Sequence, residues 1–186
     1  MALRFKLLPI CLLTILISCK EDSTVPRPKA FVSIQFDDKQ YYKPKFPKKY
    51  PFSFEVPKYS ELEQIDNHLN LNFKKYRAKL HISYFSLEND LKRHTENSRR
   101  LAFKHTSKAN SISEIIYQND ERNVYGVKFD FDGSTATSTQ FFLTDSSNHF
   151  FRGALYFNTH KSDSLAIIEE YLKIDVTRII ETFCWK

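Results

Sequence analysis

Glycine is almost missing from this chain: Gly126, Gly133 and Gly153 are the only three in 186 residues. A loop that wraps phosphate in backbone N–H groups needs several closely spaced glycines, and so does the strained turn that exposes a nucleophilic serine. Neither motif can be written here. The six histidines, His68, His81, His94, His105, His149 and His160, fall in different segments without metal-ligand spacing. Their expected role is in turns and on the surface. Cysteine is as scarce, with Cys11, Cys19 and Cys184. The long apolar run, residues 7–18, is 12 residues without a charge and contains Pro9, whereas a bilayer span needs about 20. These absences predict no catalysis, no cofactor and no metal.

That short run has the form of an export signal. Arg4 and Lys6 precede it without an acidic residue, giving a basic n-region and an apolar h-region. It ends in Leu16-Ile17-Ser18-Cys19, which resembles the bacterial lipobox. A thiol is required at that last position because diacylglycerol is transferred to sulfur before the peptidase cuts in front of it. Residues 1–18 are therefore expected to be a lipoprotein signal peptide, and Cys19 the lipidated first residue of the mature chain. Acyl chains, palmitate among them, contribute about 0.8 kcal/mol per buried methylene, so two suffice for durable anchoring. Residues 19–29 carry Pro26 and Pro28 among polar residues and read as a tether. Residues 30–186 read as a single α+β domain. Glu21-Asp22 resembles a signal that sends some lipoproteins to the outer face of the outer membrane. The expected location is the cell envelope, on the periplasmic side of a membrane or at the outer membrane.

The whole chain has 28 basic and 22 acidic residues. Loss of residues 1–18 removes Arg4 and Lys6, leaving 26 against 22, or +4. A basic excess often points to nucleic acid, but an exported chain does not meet it. Anionic head groups, cell-wall polymers and acidic protein surfaces are the expected partners. With Cys11 removed and Cys19 acylated, Cys184 remains as the only thiol, so no internal disulfide can form in the mature chain. An ordinary core must hold the fold, and 17 Phe with 10 Tyr are enough for one.

Alternation of apolar and polar residues predicts strands at 31–37, 52–56, 69–73, 80–84, 112–117, 124–131, 139–144 and 150–157. Both faces of the last are apolar, which predicts a central strand covered on two sides. A hairpin is expected at Lys75 to Ala78. A helix is expected from Leu87 to Lys104, capped by Ser86, with a thin stripe of Leu87, Leu91, Leu101 and Ala102. The closing helix is stronger: Leu165, Ile168, Leu172, Val176, Ile179 and Phe183 recur at three and four residues, widened by Ile167, Tyr171 and Ile180. Glu169, Glu170, Lys173, Asp175 and Arg178 are assigned to its outer side. This order predicts an antiparallel sheet with two helices packed on it. It also resembles the Mog1/PsbP type of α/β/α sandwich, with Phe52-Ser-Phe-Glu-Val-Pro57 as the opening strand.

Two patches are candidates for binding a partner. One is the extended basic, aromatic loop Lys39 to Tyr50, with Lys45, Lys48 and Lys49. The other is the end of the first helix, with Lys104, His105 and Lys108. Positive charge there also suits the helix dipole. Asp130 and Asp132 share a strand face, as acid/base carboxylates do, but a solvated face beside a turn explains them equally.

The stretches Tyr50-Pro-Phe-Ser-Phe-Glu-Val-Pro-Lys-Tyr59, Ala102-Phe-Lys-His-Thr-Ser-Lys-Ala109, Val124-Tyr-Gly126, Gln140-Phe-Phe-Leu-Thr-Asp-Ser146, His149-Phe-Phe-Arg-Gly-Ala-Leu-Tyr-Phe-Asn158 and Glu181-Thr-Phe-Cys-Trp-Lys186 together resemble the gliding motility lipoprotein GldD family of Bacteroidota. The resemblance runs over residues 19–186. It implies an accessory lipoprotein of the gliding machinery, tied to type IX secretion and working with an integral membrane gliding protein. It carries over no catalytic residue. The alternative is an envelope lipoprotein that holds polysaccharide or lipid between sheet and helix, in a cavity lined by Tyr and Phe. An interaction module would instead be solid there.

Overall fold

The alternating segments become one seven-stranded sheet because each buries an apolar face that a single strand cannot cover. The computed structural model describes residues 34–65, 68–104, 109–133, 135–158 and 163–186, and Ile34–Lys186 form one compact unit. Strands β1 (Tyr41–Tyr42), β2 (Phe52–Ser53) and β3 (Val56–Pro57) lead into β4 (Glu61–Ile65), β5 (His68–Phe73) and β6 (Ala78–Ser86). Helix α1 (Leu91–Phe103) follows, then β7 (Ala109–Asn119), β8 (Val124–Gly133), β9 (Thr137–Thr144) and β10 (His149–Phe157). Helix α2 (Asp163–Glu181) and β11 (Cys184–Trp185) close the chain. The sheet order is β4-β5-β6-β10-β9-β8-β7, and every neighbouring pair is antiparallel. The α+β class expected from the sequence holds.

Strand β10 lies at the centre, and its alternate residues feed two cores. Phe151 and Leu155 join Phe141, Leu143, Leu69, Leu71 and Leu80 beneath Leu172, Val176 and Ile179 of α2. Phe150 joins Phe142, Phe129, Phe131 and Val127 beneath Ala102 and Leu91 of α1. Residues of opposite parity point to opposite faces, so the helices cover opposite sides in three layers. Strand β11 pairs with β2, Trp185 opposite Phe52, and ties the C-terminus over the α2 side.

Gly153 lies opposite Phe141 on that side. A Cβ built there would meet Cε1 of the Phe141 ring at 2.3 Å, so the ring lies across the bare glycine. We expect Gly153→Ala to lower stability by about 1–3 kcal/mol through overpacking, read as a lower urea midpoint with unchanged slope. A midpoint at the parent value would show that Phe141 moves without cost.

Several sequence expectations are corrected. Ile34 to Asp37 is not a strand, because Phe36 stacks on Tyr171 (4.3 Å between centroids) instead of entering a ladder; residues 31–33 lie outside the described residues. The opening strand splits into β2 and β3. The hairpin turn runs through a 3-10 turn at Lys74–Tyr76, and Arg77 closes it with φ of 50°. Helix α1 begins at Leu91, not Leu87, since the Leu87 N–H donates to Asn148 O (2.8 Å). Ser86 is the last residue of β6 rather than a cap. Strand β4 was not expected. Ile168 is only half-buried, and Ile167 is 50% exposed. Asp175, assigned to the outer side of α2, is 0% exposed.

Candidate functional site

The lysine-rich loop is held by its aromatics. Phe46 and Tyr50 are buried: Phe46 contacts the rings of Phe52 (5.3 Å) and Phe54 (4.7 Å), and Tyr50 those of Phe52 (5.5 Å) and Tyr84 (6.4 Å). A turn in which Tyr50 N–H donates to Pro47 O (2.9 Å) lies between them. Lys45, Lys48 and Lys49 are exposed, and Lys49 Nζ lies 5.1 Å from the centre of the Tyr50 ring. The loop therefore presents ammonium groups from a fixed base. Lys104 is exposed at the end of α1, where its N–H donates to Arg100 O (3.0 Å). His105 and Lys108 lie outside the described residues, as does Cys19. Phe46 and Tyr50 belong to the α2 side and α1 to the other, so the lysine loop and Lys104 are on different sides of the sheet.

Lys39, which opens the same loop, is not part of the exposed patch. Its Nζ lies 2.8 Å from Asp175 Oδ1 and 3.4 Å from the centre of the Tyr171 ring. It also donates to Tyr171 O (2.8 Å) and Tyr59 OH (2.9 Å). Tyr41 OH donates to Asp175 Oδ1 (2.8 Å), and Tyr59 OH donates to Asp175 Oδ2. One turn of α2 away, Tyr171 OH donates to Asp37 O (2.6 Å), and Tyr76 OH to Asp37 Oδ2 (2.7 Å). Both oxygens of the buried Asp175 carboxylate are thus occupied by donors from the N-terminal segment. Burial pushes the Lys39 ammonium below its usual pKa, opposed by the hydrogen bond and charge of Asp175. Burial and then the hydrogen bond to Asp175 raise the phenols of Tyr41 and Tyr59 far above theirs. Burial also raises Tyr76.

The raised phenols give a pH dependence, with the lowered Lys39 acting in the opposite sense. A group whose folded pKa is raised stabilises the fold below its unfolded pKa, about 10 for tyrosine, and loses that contribution as pH rises above it. Stability is expected to fall above about pH 10, and spectrophotometric titration should show Tyr41, Tyr59 and Tyr76 ionising only with unfolding. A stability curve flat from pH 9 to about 11.5 would contradict the network.

The other polar groups are also engaged in the fold. Lys128, buried on the α2 side, pairs with Asp130 (3.0 Å) and donates to Thr177 Oγ1 (3.1 Å). Asp130 Oδ1 accepts from Thr139 Oγ1 (2.6 Å), while Asp132 is exposed. Of the two carboxylates, Asp130 is thus in an ion pair and Asp132 alone is on the solvent side. His94 is sandwiched between Phe85 (4.8 Å) and Phe150 (5.2 Å), and His149 Nδ1 lies 2.8 Å from Tyr84 OH. Among the described residues, no three His, Cys, Asp or Glu side chains could hold a metal. Between sheet and α2, Phe151 meets Phe52 (5.0 Å), Phe54 (5.7 Å) and Phe183 (4.9 Å). Rings fill this part of the space between sheet and helix, and a polar cleft lined by Lys39, Tyr41, Lys128, Asp130, Thr177 and Arg178 opens beside it.

Fold and site together define a three-layer α+β domain that spends its buried charges on its own architecture and presents lysines on a pinned surface loop. The family model described as gliding motility lipoprotein GldD matches residues 21–185, and the chain belongs to that family. No curated protein matches it. Among the described residues no helix is long and apolar enough to cross a membrane, which fits a lipid-anchored envelope protein.

Proposed function

We propose that this protein is a lipid-anchored interaction module of the gliding machinery, linked to type IX secretion and carrying out no catalysis of its own. The observation that carries this reading is the division of labour among its charges. The buried Asp175 and Lys128 and the half-buried Lys39 are satisfied inside the fold, whereas Lys45, Lys48 and Lys49 are exposed on a loop anchored by Phe46 and Tyr50. Such a cluster suits an acidic protein surface, here that of an integral membrane gliding component, with no role for nucleic acid. Membrane lipid is reached through acylated Cys19. Lys104, with His105 and Lys108, is the second contact.

The test is complementation of a deletion strain. Charge reversal of Lys45, Lys48 and Lys49 together, or of Lys104 and Lys108 together, should impair gliding with protein level and membrane fractionation unchanged. Cys19→Ala should abolish palmitate labelling and membrane retention. Single alanine changes at His105 or Asp132 should do far less if no proton transfer depends on them, whereas removing a proton-transfer group costs about 100- to 10,000-fold in rate. Motility abolished by one of those changes, with normal level and location, would replace this reading with an enzymatic one.

A further inference from the structure

The two edges of the sheet are built differently. Strand β4 is five residues long and carries Glu61 and Glu63, the charged, short edge that discourages pairing with another chain. Strand β7 is eleven residues, Ala-Asn-Ser-Ile-Ser-Glu-Ile-Ile-Tyr-Gln-Asn, with no proline or lysine. Its only charged side chain, Glu114, is paired with Arg99 of α1 at 2.9 Å. Ile116 is 78% exposed and Ile115 40% exposed. Among the described residues no strand pairs on its outer side, so this edge offers backbone donors and acceptors, two isoleucines and no net charge.

From this we infer that β7 is a self-association edge, pairing antiparallel with β7 of a second copy about a two-fold axis through Ile116. The register follows from backbone geometry. In its pairing with β8, alternate residues of β7 turn their N–H and C=O outward, so only residues of like parity can face each other across the new contact. Centring on Glu114 would set two carboxylates directly opposite, which is destabilising. Centring on Ile115 would place Glu114 against Ile116. Centring on Ile116 sets Ile116 against its own copy, Ile115 against Tyr117 on both sides, Glu114 against Gln118, and Ser113 against Asn119. Of the registers centred on Glu114, Ile115 and Ile116, this one joins apolar to apolar and opposes no like charges, and it pairs the most exposed side chain, Ile116, with its own copy. The two seven-stranded sheets would then run on as one.

Seven facing residues make a contact smaller than the roughly 1,200–2,000 Å² of a stable soluble complex. Restriction to a membrane surface supplies the effective concentration that such a contact needs. The test therefore uses the full-length chain in intact cells under mild oxidation. Cα atoms of directly opposed residues lie about 4.5–5.5 Å apart, within disulfide reach. Ile116→Cys should give a disulfide-linked homodimer at about ten times the yield of Ile112→Cys, whose partner would fall in the turn after β7. The parent chain, with Cys184 alone, supplies the background. A second reporter, Ser113→Cys with Asn119→Cys, should crosslink between copies and lose that product when Ile116→Lys is added. Equal yields from positions 112 and 116, no dimer from either reporter, a product unaffected by Ile116→Lys, or a crosslink only to a different protein would each overturn the inference.

Discussion

Asp175→Ala is expected to lower the free energy of unfolding by about 3–5 kcal/mol, the usual consequence of removing one partner from a buried ion pair. The substitution leaves the Lys39 ammonium held against Tyr171 and Tyr59 without its counter-charge, and deprives the hydroxyls of Tyr41 and Tyr59 of their acceptor. Two phenols and an ammonium would then share a half-buried space that water reaches only in part. The double change Lys39→Met with Asp175→Leu should cost less than the two single changes summed, by a coupling of about 0.5–3 kcal/mol. Urea unfolding followed by the fluorescence of Trp185 measures all four variants. A loss below about 1 kcal/mol for Asp175→Ala would mean that the carboxylate is not the centre of the network.

Phe151→Ala should be comparably severe, at about 3–5 kcal/mol. Phe151 is fully buried at the centre of the sheet, and its ring touches those of Phe52, Phe54, Phe141 and Phe183 at 4.9–5.8 Å. Those neighbours come from β2, the β2–β3 bend, β9 and the end of the chain, so no single element can shift to close the cavity. The α1 side of the sheet should feel little of this. His94 and Phe150 pack there beside a separate cluster, and the two faces are joined through the backbone of the sheet. If Phe151→Ala unfolds at the parent urea concentration, the ring contacts drawn here are not those that hold the helix to the sheet.

The parts of the fold legible in the sequence were those with their own period. Strand β8 alternates cleanly, and the stripe of α2 from Leu165 to Ile180 repeats at three and four. The doubly apolar faces of β10 correctly marked it as central. Strand β4 was hidden because it is an edge: only Leu62 packs on the core, opposite Leu71, and one apolar residue makes no period. The segment at Ile34 to Phe36 misled for the opposite reason. Its alternation is real, but Phe36 is used for a ring contact with Tyr171, 135 positions on. Asp175 was missed because a charged residue on an amphipathic helix is assigned to solvent unless its partners are known. Those partners, Lys39, Tyr41 and Tyr59, are more than a hundred residues earlier. Of the candidate binding residues, the exposure of Lys45, Lys48 and Lys49 was readable from proline and lysine content, whereas the anchoring of their loop by Phe46 and Tyr50 was not.

The clasp between the N-terminal segment and α2 also sets a load path. The chain ahead of Ile34 enters the domain through Phe36, Asp37, Lys39 and Tyr41, each of which grips Tyr171, Tyr76, Tyr59 or Asp175. Tension applied at that end does not first peel the two-rung ladder of β1 on β3. It is delivered to the middle of α2 and from there to the packed face of the seven-stranded sheet, so an ion pair and a set of phenols act as the cleat to which the line is made fast.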